Sequence, residues 1–492
     1  MRDGRVSSLP GTALTRWAEG AGQRTGSSPA AELVGHSDAG GRLAARCRLE
    51  RRTQLAWLTS LVSKVGTAGT QLVAVPMVYQ TMGQDGYAAY AAVTSAVLIL
   101  SALNLGIGGS LVTPVARAAA AGDAKREGEL LRAGLIPLGL LTLAATVVAL
   151  PVVVLIPLPV LLGEVAHVSV GGLRVALVVA CAMTLLALPL TLVSNLRQAY
   201  QEIHVTNLLG AGANAVLCSA LLLAAFAKAG LPVFVACSAG IPLAGNALNG
   251  WLLIAKRRYL LEGWREYDYR HSLALLGDGA RFLAASFTNM LIYQWPIYLM
   301  AHSRPTRESA AFAISLQAVL LPLSLLFGMV QPFWGTVAEA KARGDDAWVR
   351  RQVRMLRQAG VALGLICAAV FAAWGNQALR IWLGKDIELS WSLRLCAGTY
   401  LALAIWEYLH FLLLLGVGRI REGSTILFVR AASFALLAPA LIVCGGGTWV
   451  WAGLCCSVAL YPAWRMPRVL RDAMGAAAEP RGTARAVPDP ND

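Results

Sequence analysis

Charge is what this sequence has least of. Only 14% of its 492 residues are Asp, Glu, Lys or Arg, about half the share in an ordinary soluble domain. Histidine is scarce at six, and no Cys-x-x-Cys pair or Cys/His cluster at metal spacing occurs. The nine cysteines are mostly isolated in apolar runs, so they read as packing residues and no metal site or disulfide framework is expected. The phosphate-cradling G-x-x-x-x-G-K-[ST] run is missing. So are a strand-borne G-x-G-x-x-G, a His-Glu-x-x-His pair and a serine nucleophile elbow. Long outer loops carrying catalytic residues are missing too; the longest, near 158–173, holds only Glu164 and His167. These absences argue against an enzyme, including a membrane polymerase or ligase. No catalytic residue or cofactor is expected.

Apolar residues fill the chain instead. They make up 57% of it, and the mean hydropathy is +0.59. The reading is an all-α polytopic membrane protein, in which lipid replaces water as the main solvent. Runs of about 20 apolar residues place spans near 55–79, 88–113, 134–157, 174–194, 206–227 and 231–255. Six more fall near 280–300, 310–333, 358–382, 394–416, 423–443 and 447–464. Residues 1–53 and 466–492 are polar and read as disordered cytoplasmic tails.

The net charge of +15 would suggest nucleic acid in a soluble protein. Here 33 of the 42 Lys and Arg residues fall on the side that holds the tails, scattered over short loops. The positive-inside rule then puts both termini in the cytoplasm, and nucleic-acid binding loses its support.

Two passages resemble each other. Val115 to Gly134 and Val337 to Gly360 both run V-A-x-A, Gly-Asp, then a basic amphipathic stretch ending in L-R. Gly122-Asp123 pairs with Gly344-Asp345, and Gly106 with Gly328, at an offset of 222. An even number of spans per half makes the halves parallel repeats. Such folds place substrate between the halves near mid-membrane. The expected organisation is a 54–258 N-lobe, a 259–279 cytoplasmic linker and a 280–465 C-lobe around a central cavity.

Ionisable groups inside spans are costly and usually face a bundle interior or a wet cavity. Lys64, Glu407, His410 and Arg430 fall inside spans, and Asp278 and Arg281 open the seventh. At about 100° per residue, Asn289 at 20°, Tyr293 at 60° and Arg281 at −60° from Asp278 form one polar stripe. Gln331 could join it. Candidate cavity residues are thus Lys64, Arg281, Arg430, Asn289, Tyr293 and Gln331; candidate ion-coupling residues are Asp278, Glu407 and His410. Structural alternatives stay open: Lys64 could pair with Glu407, and Arg281 or Arg430 could snorkel to an interface.

The stretch from Met82 to Asp123 resembles the opening of polysaccharide-biosynthesis flippases, exporters of O-antigen and exopolysaccharide. Their turn, L-G-x-x-x-Y-G-x-Y, here reads Met82-Gly83-Gln84-Asp85-Gly86-Tyr87-Ala88-Ala89-Tyr90, and their Asn-Leu-Gly segment reads Asn104-Leu105-Gly106. The superfamily also holds lipid II flippases and multidrug and toxic compound extrusion transporters. The resemblance implies about twelve helices in two six-helix lobes in a bacterial inner membrane. It also implies alternating-access translocation of undecaprenyl-diphosphate-linked oligosaccharide, with H+ or Na+ coupling and a polysaccharide polymerase as partner. The alternative within the superfamily is a cation-coupled multidrug extruder, which would be expected to carry acids in its first-lobe cavity. If Lys64 meets a diphosphate, Lys64→Ala should abolish transport at normal expression; full transport would remove Lys64 from the site.

Overall fold

The computed structural model describes residues 29–104, 107–162, 169–262, 269–273, 275, 287–330, 337, 341, 345–385 and 387–475, with backbone alone over 29–57. Residues 1–54 and 55–492 form two compact units. In the first the backbone is helical from Pro29 onward, where a disordered tail was expected over 1–53; residues 1–28 lie outside the described residues.

The second unit is helical, with no strand among the described residues. Its first half contains α1 (Leu58–Leu100), α2 (Ile107–Ala121), α3 (Ala124–Leu155), the short α4 (Leu158–Leu162), α5 (Val170–Ala199), α6 (Ile203–Phe226) and α7 (Leu231–Lys256). The second half begins with a π-turn, Met290–Gln294, leading into α8 (Trp295–Ser303). Then come α9 (Thr306–Val330), α10 (Asp346–Leu383), α11 (Trp391–Gly416), α12 (Ile420–Leu460) and α13 (Pro462–Gly475). Among the described residues, nine helices are long and apolar enough to cross a membrane. Two of them contain a backbone break and so count as two spans each. With the shorter segment around α8, about twelve crossings result.

Both breaks fall at glycine. Gly83 takes φ 73° and ψ −169°, and Gly446 takes φ 60° and ψ −147°. A Cβ is disfavoured at such angles, so glycine sets where each helix turns back. Gly83 belongs to the Met82–Tyr90 turn picked out in the sequence.

The repeat is visible in the caps. The Asp123 carboxylate accepts from the Arg126 amide at 2.9 Å and starts α3; Asp345 accepts from the Trp348 amide at 3.0 Å and starts α10. Each satisfies an amide that has no partner inside its helix. These helices run on for 32 and 38 residues, well past the expected spans at their basic ends. The α5–α6 and α11–α12 turns also match. Gln201 and Gly418 take positive φ, and the following amides, Glu202 and Arg419, return to the Arg197 and Leu414 carbonyls.

At this basic end each lobe is tied differently. In the N-lobe, Glu202 gathers Arg197 at 2.7 Å, Lys256 at 2.6 Å and Arg257 at 2.9 Å. Arg197, read in sequence as an orientation charge, is buried and also donates to Asn249 Oδ1 at 3.1 Å. Arg257 lies over the Tyr200 ring, and the Tyr200 and Tyr259 hydroxyls donate to buried Glu127 at 2.7 and 2.8 Å. In the C-lobe, α13 lays Met466, Val469 and Leu470 on Val349, Val353, Leu413 and Ile426. Residues 466–475 are therefore helical rather than a disordered tail; 476–492 lie outside the described residues. Of the expected 259–279 linker, the Arg258–Leu261 turn buries Leu260, and Ser272 donates to Ala133 O at 2.8 Å.

The largest apolar core joins the lobes at the far end. Val75, Val78, Tyr79, Leu217 and Leu221 of the first half meet Ile297, Met300, Phe312 and Leu383 of the second.

Burial alone would push the Glu202 carboxyl upward. Hydrogen bonds from Arg257, Lys256 and Arg197 outweigh it and hold the group at about 2, below its ordinary 4.5. A depressed carboxyl stabilises fully above the unfolded value, so this contribution is complete above pH 4.5 and lost as pH falls toward 2. Glu202→Gln should cost about 2 kcal/mol near neutral pH, and the difference from wild type should shrink over that acid window in detergent unfolding curves.

Candidate functional site

Two adjoining chambers lie between the lobes. One, of about 320 Å³, is lined by α1, α5, α6 and α7 from one side and by Gln294, Ile297, Ala313 and Gln317 from the other. Its polar groups are Thr70, Gln71, Tyr87, Tyr90, Thr94, Ser95, Thr184, Ser238, Gln294 and Gln317. The second, of about 450 Å³, adds Thr191, Asn246, Asn289 and Tyr293. Leu98, Thr184, Ser238, Ala239 and Gln294 line both, so the chambers share a wall. The walls mix apolar side chains with hydroxyls and amides. No charged residue lines either chamber among the described residues. Such walls fit an uncharged, amphipathic surface held by a few placed hydrogen bonds.

The π-turn shapes the second chamber. Trp295 N returns to Met290 O, one residue further than an α-helix allows, and Pro296 has no amide to donate. The extra residue widens the turn. Asn289, Tyr293 and Gln294 all come to line the chamber. A regular 100° count puts Gln294 off the polar stripe, which is why the sequence missed it; the Gln-Trp-Pro sequence at 294–296 was the available signal. Thr184, Ser238, Asn246, Gln71 and Gln317 were also missed, because lone polar residues in apolar spans carry no spacing signature.

The expected site residues are not all brought together. Lys64 is exposed on α1 and makes no ion pair with a described residue. It shares a helical face with Ala68, Gln71 and Val75, and the last two line the smaller chamber. Asp278, Arg281 and Gln331 lie outside the described residues. Arg430, Glu407 and His410 do not line the chambers and sit inside the C-lobe. Arg430 is 2% exposed and its Nη1 donates to Glu407 Oε2. Its other donors reach Ser457 Oγ at 3.1 Å and Tyr400 OH at 3.1 Å. This cation is consumed by its own carboxylate, so it is not free to neutralise a substrate diphosphate, and Glu407 is not the partner of Lys64. Glu407 Oε1 has no partner. His410 donates from Nδ1 to Trp406 O at 2.9 Å and stacks on the Trp406 ring, leaving Nε2 without a partner.

At the far end the lobes are latched by side chains that reach the other lobe's backbone. Trp382 Nε1 donates to Leu72 O at 2.9 Å and Gln80 Nε2 to Leu383 O at 2.8 Å. Lys385 Nζ donates to Gln80 O at 3.2 Å and Gln84 Nε2 to Arg307 O at 3.2 Å. His302 Nε2 donates to Val160 O at 3.1 Å.

No protein-family model and no curated protein matches the sequence. Solved structures do match in shape. A multidrug resistance MATE family transporter of the MOP superfamily, inward-facing, superposes with TM-score 0.68 at 13% identity, over 87% of this chain and 98% of that one. The outward-facing conformation of a transporter so described gives 0.61 at 12% identity, over 87% and 96%. A MOP superfamily transporter from Pyrococcus furiosus, whose pocket is described as reversed in polarity, gives 0.61 at 13%, over 88% and 97%. The fold is thus MATE-like, with two lobes, as the superfamily resemblance implied. The matches show the fold and do not single out polysaccharide flippases.

Breaking the Arg430–Glu407 pair from one side leaves a buried charge alone. Glu407→Gln or Arg430→Met should each lose about 3–5 kcal/mol, whereas the double variant should recover most of it. Thermal unfolding in detergent reads this; a double variant as unstable as the singles would show that the pair is not a closed unit.

Proposed function

We propose that the protein is an alternating-access transporter of a bacterial inner membrane that extrudes amphipathic organic solutes. The observation that carries this reading is the neutral, hydroxyl- and amide-lined cavity between two lobes that are latched at the far end. The likeness to MATE transporters in both inward- and outward-facing conformations supports it. With both termini cytoplasmic, as the charge distribution argues, the latched end is periplasmic and the loading side cytoplasmic. Export then requires the far-end hydrogen bonds to break, the shared apolar core to part, and the basic ends to close.

Coupling to H+ or Na+ is part of the proposal. Glu407, with its spare Oε1 and with His410 one turn on, is the candidate in the C-lobe; Asp278 is the other acid in reach of the sequence argument. Among the described residues the first-lobe walls hold no acid, so a coupling ion there would bind hydroxyl and amide oxygens.

One observation favours a second reading, translocation of an undecaprenyl-diphosphate-linked oligosaccharide for a polysaccharide polymerase. Hydroxyls and amides suit sugars, and exposed Lys64 sits on the cavity-facing stripe of α1, where it could meet a diphosphate. Reconstitution separates the two. Proteoliposomes with an imposed ion gradient should move a fluorescent amphipathic dye and leave a fluorescent lipid-diphosphate sugar unmoved; the reverse result would select the flippase. In the same vesicles, Gln80→Leu with Trp382→Phe should weaken the latch and shift spin-label distances across the far end to longer values. An unchanged distribution would remove the latch from the cycle.

A further inference from the structure

The two lobes treat the cations at their basic ends differently. In the N-lobe, Glu129 takes Arg126, and Glu202 takes Arg197, Lys256 and Arg257. In the C-lobe, Arg350, Arg351, Arg354 and Arg357 are exposed in the first turns of α10, and Arg465, Arg468 and Arg471 are exposed on α13. None of these arginines makes an ion pair with a described residue. Asp346 and Asp472 are the only acids in the two helices.

The helices themselves show what these arginines face. Taking Arg350 as zero, a helix of about 100° per residue puts Arg354 at about 40°, Arg357 at about −20°, Val361 at about 20° and Leu365 at about 60°. Val361 and Leu365 are exposed and α10 lines neither chamber, so this face looks onto lipid. The arginines continue the same stripe roughly 6–16 Å further along the axis, through the headgroup layer and just above it. On α13, Trp464, Arg468 and Arg471 share one side, opposite Met466, Val469 and Leu470, which pack on the lobe. Trp464 Nε1 donates to the carbonyl of Leu460, the last residue of α12, whose side chain is 75% exposed. An exposed Trp at the end of a span marks the membrane interface. The Arg468 guanidinium lies 4.7 Å from the Trp464 ring centroid, stacked by cation–π attraction.

From this we infer that the outer faces of α13 and of the first turns of α10 bind the phosphates of anionic phospholipids in the leaflet at the basic end. A guanidinium donates two parallel N–H bonds to a phosphodiester, and one stacked on a ring keeps its N–H edge for that purpose. A zwitterionic headgroup brings its own ammonium and gains less from a row of arginines. An anionic headgroup brings none. The lipid-facing residues below the α10 arginines and the interfacial Trp464 favour a lipid over a soluble polyanion. The surface holds whichever solute the cavity takes.

Native mass spectrometry of the purified full-length protein tests this. Phosphatidylglycerol and phosphatidylcholine with identical acyl chains are offered together in detergent, and retained lipid is counted. Phosphatidylglycerol should bind roughly tenfold more tightly. Arg465→Gln with Arg468→Gln and Arg471→Gln should cut that preference by roughly threefold or more, as should Arg350→Gln with Arg354→Gln and Arg357→Gln. Lysine at the same positions keeps the charge and should keep most of the preference. Both glutamine triples should melt within about 2 °C of wild type in lipid-free detergent, because no ion pair is lost. Equal retention of the two lipids, or an undiminished preference in the glutamine triples, overturns the proposal. Unfolding of the triples also overturns it, because these side chains would then be structural. So does displacement of phosphatidylglycerol by an equal concentration of an acidic peptide or a DNA oligonucleotide, which would make a soluble polyanion the partner. Lipid selectivity without dye movement in proteoliposomes would leave this surface standing and overturn the export reading alone.

Discussion

A polar group that enters hydrocarbon has no water to turn to and must find its partner inside the protein. That constraint accounts for most of this molecule. It makes the spans helical, because only a helix satisfies its own backbone. It sends span threonines back to the preceding turn, as Thr81 to Met77 O at 2.6 Å and Thr142 to Leu138 O at 2.8 Å. It draws Arg430 onto Glu407, Tyr400 and Ser457 until each guanidinium nitrogen has a partner. The rule fails at Gln71 and Gln317 Oε1, on residues of the chamber wall, and inside the C-lobe at Glu407 Oε1 and His410 Nε2.

The two lobes share an ancestry of form without sharing its reinforcement. Both begin their long third helix from a Gly-Asp cap, and both turn their fourth span into the fifth through a positive-φ residue. Beyond that they diverge. The first lobe closes its basic end with one carboxylate gathering three cations. The second uses an amphipathic helix over an apolar cluster. Backbone geometry is repeated, whereas the energy that secures it is supplied anew in each half.

The spans, the repeat and the Gly83 turn were legible in the sequence because hydropathy, spacing and glycine act locally. Asn289 and Tyr293 were legible as one stripe, and both line the second chamber. What lay beyond reach depended on how helices rotate against each other. Arg430 and Glu407 look alike in sequence whether they face a cavity or each other, and only the packing of α11 on α12 decides. The π-turn moved Gln294 onto a wall that a regular helix denies it. The substrate is harder still, because recognition is spread over hydroxyls and amides that fix no motif.

The unequal lengths of the helices have a mechanical meaning. Helix α10, at 38 residues, is about 57 Å long, against a hydrocarbon thickness of about 30 Å. Helix α3, its counterpart, has 32 residues and is about 48 Å long. Both therefore project well beyond the bilayer at the basic end, one from each lobe. They are levers whose fulcrum lies in the membrane. A tilt of a few degrees that barely disturbs packing at mid-bilayer becomes a displacement of ångströms at their tips, so forces applied in the aqueous phase can drive the rocking as readily as a solute in the cavity can.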